Sequence, residues 1–407
     1  MKNKYIATLI VFIMTVTFLL TGCSTKKSNE NELVFWTLQM ATFDKYITGI
    51  IDEFEAQNPD IKIKWVDVPY SEGEKRTLAA LLSDNPPDLI NLTPDFSAMA
   101  AQKNTLFEIP KSAIDENFPT SLQQSLSFNG KFFAVPFYVT SAITFANKDL
   151  MAKSNIKSVP KTYDEMFAQA KNAKSAGFYI EMPTVNENMT FLKILNKYNV
   201  DVYENINSDE AYRIFSLYKN LYQNNLIPKE SLTQNHREAL EKYMSGQIVF
   251  LQAGSNFLNI IKENAPTVYD STVLSEQMMG DSGKYDYSLM NLIISKKSKH
   301  AQDALKFALF LTNKENQLEL AKLTSVLPAN KFALSDEYFN KTDSKEALAR
   351  NISANQIKNL GSEIQNRRSK KNLIMLTNTA LAQIMTNQGD TTTILFELNK
   401  KIQDLEE

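Results

Sequence analysis

Cysteine is nearly missing. Cys23 is the only one in 407 residues, so no intrachain disulfide and no thiolate metal cluster can form. Histidine is almost as scarce. His236 and His300 are far apart in the chain and neither stands in an HxxH or HExxH pattern, which argues against a histidine-rich metal site. A Ser-His-Asp triad would have only those two to draw on, and each reads as a solvated residue on a helix surface. There is no basic excess either: 44 Lys and Arg face 46 Asp and Glu, a formal charge of −2, and without residues 1–22, which hold Lys2 and Lys4, it becomes −4. A nucleic-acid footprint would be basic, so the balance gives no case for nucleic acid as a partner. Six arginines are few for a site built to clamp carboxylates or phosphates. No internal repeat or low-complexity tract occurs.

What is present is an ordinary globular composition, 43% hydrophobic and 22% charged, in a chain long enough to predict two domains or lobes. Its organising stretch runs from Leu33 to Met99. Strand-like runs at 33–36, 61–68 and 88–92 alternate with helix-like segments, and Phe43, Ile47, Ile50, Ile51 and Phe54 share one helical face. Strand, helix, strand in this order predicts a parallel sheet wrapped by helices, with ligands held beyond the carboxyl ends of the strands. The residues to watch are therefore Trp36 to Gln39 and Thr93 to Phe96.

Residues 1–23 carry a basic start, a hydrophobic run from Ile6 to Leu20 and the ending Leu20-Thr21-Gly22-Cys23. The run is short for a membrane span. The ending resembles the bacterial lipobox, which implies a signal peptide over 1–22 and lipid on Cys23, with a tether to residue 32. Further on, Thr93-Pro94 reads as a helix start and Asn129-Gly130 as a turn. A crossing between lobes is expected near Tyr138 to Ser141. Thr162 to Glu165 forms a capping box, and the helix it opens stops at Gly177. Phe178 to Met182 and Ile248 to Ala253 read as strands, 189–199, 208–224, 236–245 and 255–264 as helices. Ser288 to Ser295 reads as a strand returning to the first lobe, followed by helices at 302–322, 344–366 and 371–405.

Several segments together resemble a known family. They are Phe35-Trp36-Thr37, Phe54 to Ile63, Asn85-Pro86-Pro87-Asp88 to Leu92, Gly130 to Tyr138, Asn147 to Leu150, Pro160 to Glu165 and Ala304 to Asn313. The chain is similar to the extracellular solute-binding lipoproteins of ABC importers, in the sugar-binding, maltose-binding-protein-like branch. The resemblance implies a two-lobe α/β fold of the type II periplasmic-binding kind, each lobe a mixed, mostly parallel sheet flanked by helices, with a helical C-terminal extension. The lobes are expected at 33–138 with 289–334, and at 139–288 with 335–407. It further implies a lipid-anchored monomer on the outer membrane face that catches a carbohydrate by hinge closure and delivers it to permease subunits, without enzymatic activity, metal or cofactor.

A sugar site needs aromatic platforms and paired polar groups. Trp36 is a candidate platform or a core residue; Trp65 reads as core. Gln39, Asp95 and Phe96 lie at the expected cleft edge, where Asp95 reads equally as a first-turn acid favouring the helix dipole. Tyr138 stands at the hinge. By resemblance to maltose-type binders, Glu181 supplies a carboxylate, and Asn256 with Phe257 follows a glycine turn that carries a stacking ring. Two alternatives stand beside this. One is a same-fold binder of glycerol phosphate, a polyamine or iron. The other is a secreted carbohydrate-active enzyme, although adjacent acids such as Asp52-Glu53 and Asp115-Glu116 point to different sides of a helix.

Overall fold

The computed structural model describes residues 32–185, 189–361 and 370–405. The hydrophobic run, Cys23 and the tether up to residue 31 lie outside them. Among the described residues no helix is long and apolar enough to cross a membrane.

Among the described residues eleven strands form: β1 (Glu32–Leu38), β2 (Lys62–Val68), β3 (Leu89–Leu92), β4 (Ser127–Phe128), β5 (Lys131–Phe132), β6 (Ala134–Thr140), β7 (Ala142–Asn147), β8 (Phe250–Gly254), β9 (Thr272–Ser275), β10 (Ser288–Ile294) and β11 (Leu327–Pro328). The larger sheet has the order β11-β6-β10-β3-β1-β2. β1 is parallel to β2 and β3, as the strand-helix-strand pattern requires. Helix Asp44–Gln57 between them buries Ile47, Ile50, Ile51 and Phe54, four of the five residues read from the sequence, together with Tyr46, while Phe43 precedes the helix. Phe54 packs its ring 4.9 Å from Phe307, which lies edge-on to Phe35 at 5.4 Å. Each fully buried ring contributes roughly 1.5–3 kcal/mol.

The larger sheet is mixed, as expected, but the expectation that each sheet is mostly parallel is corrected. β10 enters the larger sheet from the second lobe and runs antiparallel to both β3 and β6, and β11 is antiparallel to β6. The second sheet, β8-β7-β9, is antiparallel throughout. Phe178 to Met182 forms only an isolated parallel bridge, Tyr179 to Ile248, rather than a strand.

Capping follows the sequence in position, with two departures in bonding. Thr162 Oγ1 accepts from Glu165 N at 3.1 Å, but Glu165 reaches back to Lys161 N, one residue earlier than expected. Thr93 precedes Pro94 at the start of helix Pro94–Gln102 without a side-chain capping bond. Asn129 and Gly130 have φ of 51° and 75°, so both central residues of the β4–β5 hairpin are left-handed, as a two-residue turn demands.

Residues 33–139 and 285–334 share one core, and residues 143–278 form two adjoining ones. Helices Lys370–Met385 and Thr391–Gln403 cover the second lobe through Leu373, Leu381, Leu395 and Ile402. The segment before them packs on both sides. Phe339, Ile357 and Leu360 join the first core, whereas Ala349 of helix Lys345–Gln356 joins the second lobe.

Candidate functional site

The chain passes from the first sheet to the second at Ser141, between β6 and β7, and returns through Asp286 and Tyr287 into β10. Side-chain amides hold these passages together. Gln277 Nε2 donates to Asp286 O at 3.2 Å, and Gln277 Oε1 accepts from Asp286 N at 2.8 Å. Lys197, 2% exposed at the end of helix Thr190–Lys197, pairs with Asp286 Oδ2 at 3.3 Å and donates to Met278 O at 3.0 Å. Burial holds its ammonium below the ordinary lysine range, and Asp286 partly offsets that.

A cavity of about 490 Å³ opens beside these passages. Thr140, Ser141, Asp286 and Tyr287 line it from the crossing, and Tyr163, Glu181, Lys193, His236, Gln252, Asn256 and Phe257 from the second lobe. Glu181 is brought there after the helix stop at Gly177, whose φ of 91° suits glycine. It is buried, its Oε2 has no hydrogen-bond partner among the described residues, and burial pushes its carboxyl up to about 8. The Tyr163 phenol is pushed up by burial and then by the charge of Glu181. Phe257 opens helix Phe257–Asn264 and meets the His236 ring edge-to-face at 5.3 Å. Gly254 gives Asn256 its place, because a Cβ at 254 would lie 2.5 Å from Asn256 Oδ1. Rings beside a carboxyl, amides and hydroxyls suit a small polar ligand with apolar faces. Among the described residues no cluster of three or more His, Cys, Asp or Glu could hold a metal ion.

The family model for bacterial extracellular solute-binding proteins matches residues 49–346. The chain belongs to that family. Among relatives of this solute-binding protein, the galactooligosaccharide-binding protein of Bacillus subtilis is 21% identical over 373 residues, 86% of either chain. The diacetylchitobiose binding protein DasA of Streptomyces coelicolor is 26% identical over 182 residues, 42% of this chain and 43% of that one. In structure, a periplasmic-binding protein from Synechococcus sp. MITs9220, provisionally named for oligosaccharides, matches with a TM-score of 0.83 and 26% identity, covering 92% of this chain and 98% of that one. The sugar-binding protein MalE of Xanthomonas citri shares the fold at a TM-score of 0.78 and 19% identity, covering 92% and 97%. The two-lobe α/β fold expected from the sequence is therefore the fold found.

Of the residues singled out in the sequence, the solute-binding protein brings Glu181, Asn256 and Phe257 into one cavity. Five others do not line it. Phe96 is 4% exposed, because helix Pro94–Gln102 turns it with Ala100 onto the first core. Trp36 is half-buried on that core with the Arg76 guanidinium 5.6 Å over its ring. Gln39 is exposed in a loop that Asp67 folds back by accepting from Met40 N at 2.9 Å and Ala41 N at 3.0 Å. Asp95 sits half-buried in the first helical turn, and Tyr138 packs half-buried against Phe137 at 5.2 Å. Trp65 packs on the first core and donates Nε1 to Thr37 Oγ1 at 2.8 Å, as its pattern predicts.

Sequence reasoning missed Tyr163, Lys193, Asp286 and Tyr287, and read His236 as a solvated surface residue, whereas it is half-buried in the cavity wall. Tyr287 carried the one usable signal, standing directly before the returning strand.

Proposed function

We propose that this solute-binding protein captures a carbohydrate, a mono- or oligosaccharide, between its lobes and delivers it to the membrane permease of an ABC importer. The observation that carries this reading is the cavity at the crossing, where the buried Glu181 carboxyl stands with Asn256 beside the rings of Tyr163, Phe257 and Tyr287. The oligosaccharide names of several relatives support it. Lobes at 33–138 with 289–334 and at 139–288 with 335–407, the last range also sending Phe339, Ile357 and Leu360 into the first core, would close on the ligand, since contacts from both favour the closed population. Trp36, Gln39, Asp95 and Tyr138 remain candidates for the first lobe's share of those contacts.

Thermal shift and calorimetry against maltose, maltotetraose, diacetylchitobiose and arabinotriose test this reading. At least one should raise Tm with concentration, by mass action on the folded state, and none should be turned over. Phe257→Ala should weaken binding about tenfold if its ring stacks on a sugar face, a loss of about 1.4 kcal/mol. Turnover, or indifference to every sugar, counts against the reading.

The anchor is part of the proposal. Lipid on Cys23, which lies outside the described residues, would keep a monomer at the outer membrane face; a single chain binds reversibly, so more than one acyl group is expected. Cys23→Ala should move the protein from the membrane fraction to the medium, and unchanged membrane retention would refute it.

A further inference from the structure

Glu181 presents a carboxyl that neither packing nor an ion pair explains. It is 6% exposed, lines the cavity, and Oε2 has no hydrogen-bond partner among the described residues. A buried carboxylate without donors is costly, so the group waits for donors or stays protonated. The titratable groups around it come from every neighbouring element. Tyr163 stands on helix Tyr163–Ala168 and Tyr218 on helix Asp209–Gln223, and both phenols remain neutral because burial and then Glu181 push them up. Asp286, at the crossing, is held by Lys197 at 3.3 Å. Lys193, on helix Thr190–Lys197, donates to Tyr287 O at 3.2 Å. His236 opens helix His236–Met244 and packs against Phe257. No ion pair to Glu181 forms among the described residues.

This inference rests on the carbohydrate reading of the cavity. We propose that loading the cavity with a neutral sugar diol expels one proton to solvent from the buried Glu181 carboxyl, whose place in the site the resemblance already implies. The balance is simple: the protonated acid and the free sugar become a carboxylate holding two O–H donors, and the released proton goes to buffer. Burial keeps the empty-site acid protonated up to about pH 8, and hydroxyl donors favour its charged form. Affinity therefore rises with pH, by up to about tenfold per unit below pH 8, and levels off above it.

The test is calorimetry on the full chain with whichever of maltose, maltotetraose or diacetylchitobiose raises Tm, in phosphate and in Tris from about pH 6 to 9. The heat at pH 7 should differ between buffers by the ionisation enthalpy of up to one proton, and that difference should fade towards pH 9. Glu181→Gln should abolish both the buffer dependence and the slope of affinity with pH. Histidine is the other cavity side chain that ordinarily titrates in this range, so His236→Gln should keep both, whatever its affinity. Tighter binding on acidification, wild-type heats independent of buffer, or loss of the slope in His236→Gln overturns the proposal. Binding without proton release overturns it alone, whereas no binding by any of the three sugars overturns the carbohydrate reading with it.

Discussion

Gln356 donates its side-chain Nε2 to Ser141 Oγ at 2.7 Å, joining the last turn of helix Lys345–Gln356 to the chain's first passage between the lobes. The same Nε2 reaches Ala142 O at 2.9 Å, while Oε1 accepts from Gln277 N at 2.6 Å. One fully buried amide thus ties a late helix to both passages of the hinge.

Gln356→Ala should be costly for that reason. It strands buried groups on both passages, each at about 1–3 kcal/mol. Urea unfolding should show a loss of about 3 kcal/mol. Asn355→Ala, at an exposed neighbour on the same helix, should stay within about 0.5 kcal/mol. Equal effects would mean the hinge bonds contribute nothing of their own.

Lys197 and Asp286 differ in burial, and that difference ranks their variants. The lysine side chain is 2% exposed and the aspartate 26%. Asp286→Asn leaves an unpaired ammonium with little access to water, whereas Lys197→Met leaves a carboxylate that water still reaches. Breaking a buried pair costs about 3–5 kcal/mol, so Asp286→Asn should approach that figure and Lys197→Met should cost less. Denaturant unfolding of the two single variants and the double variant checks the order, and the double should cost less than the sum.

Glu181 also sets a pH dependence on the stability of the ligand-free protein. Its carboxyl moves from an ordinary 4.5 to about 8 on folding, so the folded state holds the extra proton between those values. The stability this contributes is complete below pH 4.5 and is lost as pH climbs through 8. At about 1.4 kcal/mol per factor of ten in proton affinity, the whole span amounts to roughly 4–5 kcal/mol. Between about pH 5 and 8.5 the wild type should lose several kcal/mol more than Glu181→Gln. Parallel losses would show that the acid is not buried as described.

Local patterns were legible where one element's own sequence determines it. Most of the buried face of Asp44–Gln57 and the Asn129-Gly130 turn follow from spacing or turn chemistry. Strand direction was not, because β10 runs antiparallel only by returning from the other lobe, a tertiary fact with no local trace. The cavity divided in the same way. Glu181, Asn256 and Phe257 could be carried over from a resemblance along the chain. Tyr163 and Lys193 look like core and surface of their own helices, and they share a wall only because those helices meet at the crossing. The rule that ligands sit beyond strand ends pointed to Trp36 and Phe96. Arg76 covers the first and a helix turns the second inward.

Two glycines separate stability from binding. A Cβ at Gly280 would lie 2.6 Å from Lys197 O and 2.9 Å from Lys197 C, which are backbone atoms and cannot rotate aside. Gly280→Ala must therefore push the end of helix Thr190–Lys197 away, and Lys193 and Ile194 on that helix line the cavity. Overpacking of this kind costs about 1–3 kcal/mol, and sugar affinity should fall with it. Gly130 has open space around its Cβ position but a φ of 75°, so Gly130→Ala pays a comparable left-handed strain of about 1 kcal/mol in a hairpin of the first lobe. It should lower the unfolding midpoint while leaving sugar affinity within twofold. If Gly280→Ala binds as tightly as Gly130→Ala, helix Thr190–Lys197 does not set the shape of the site.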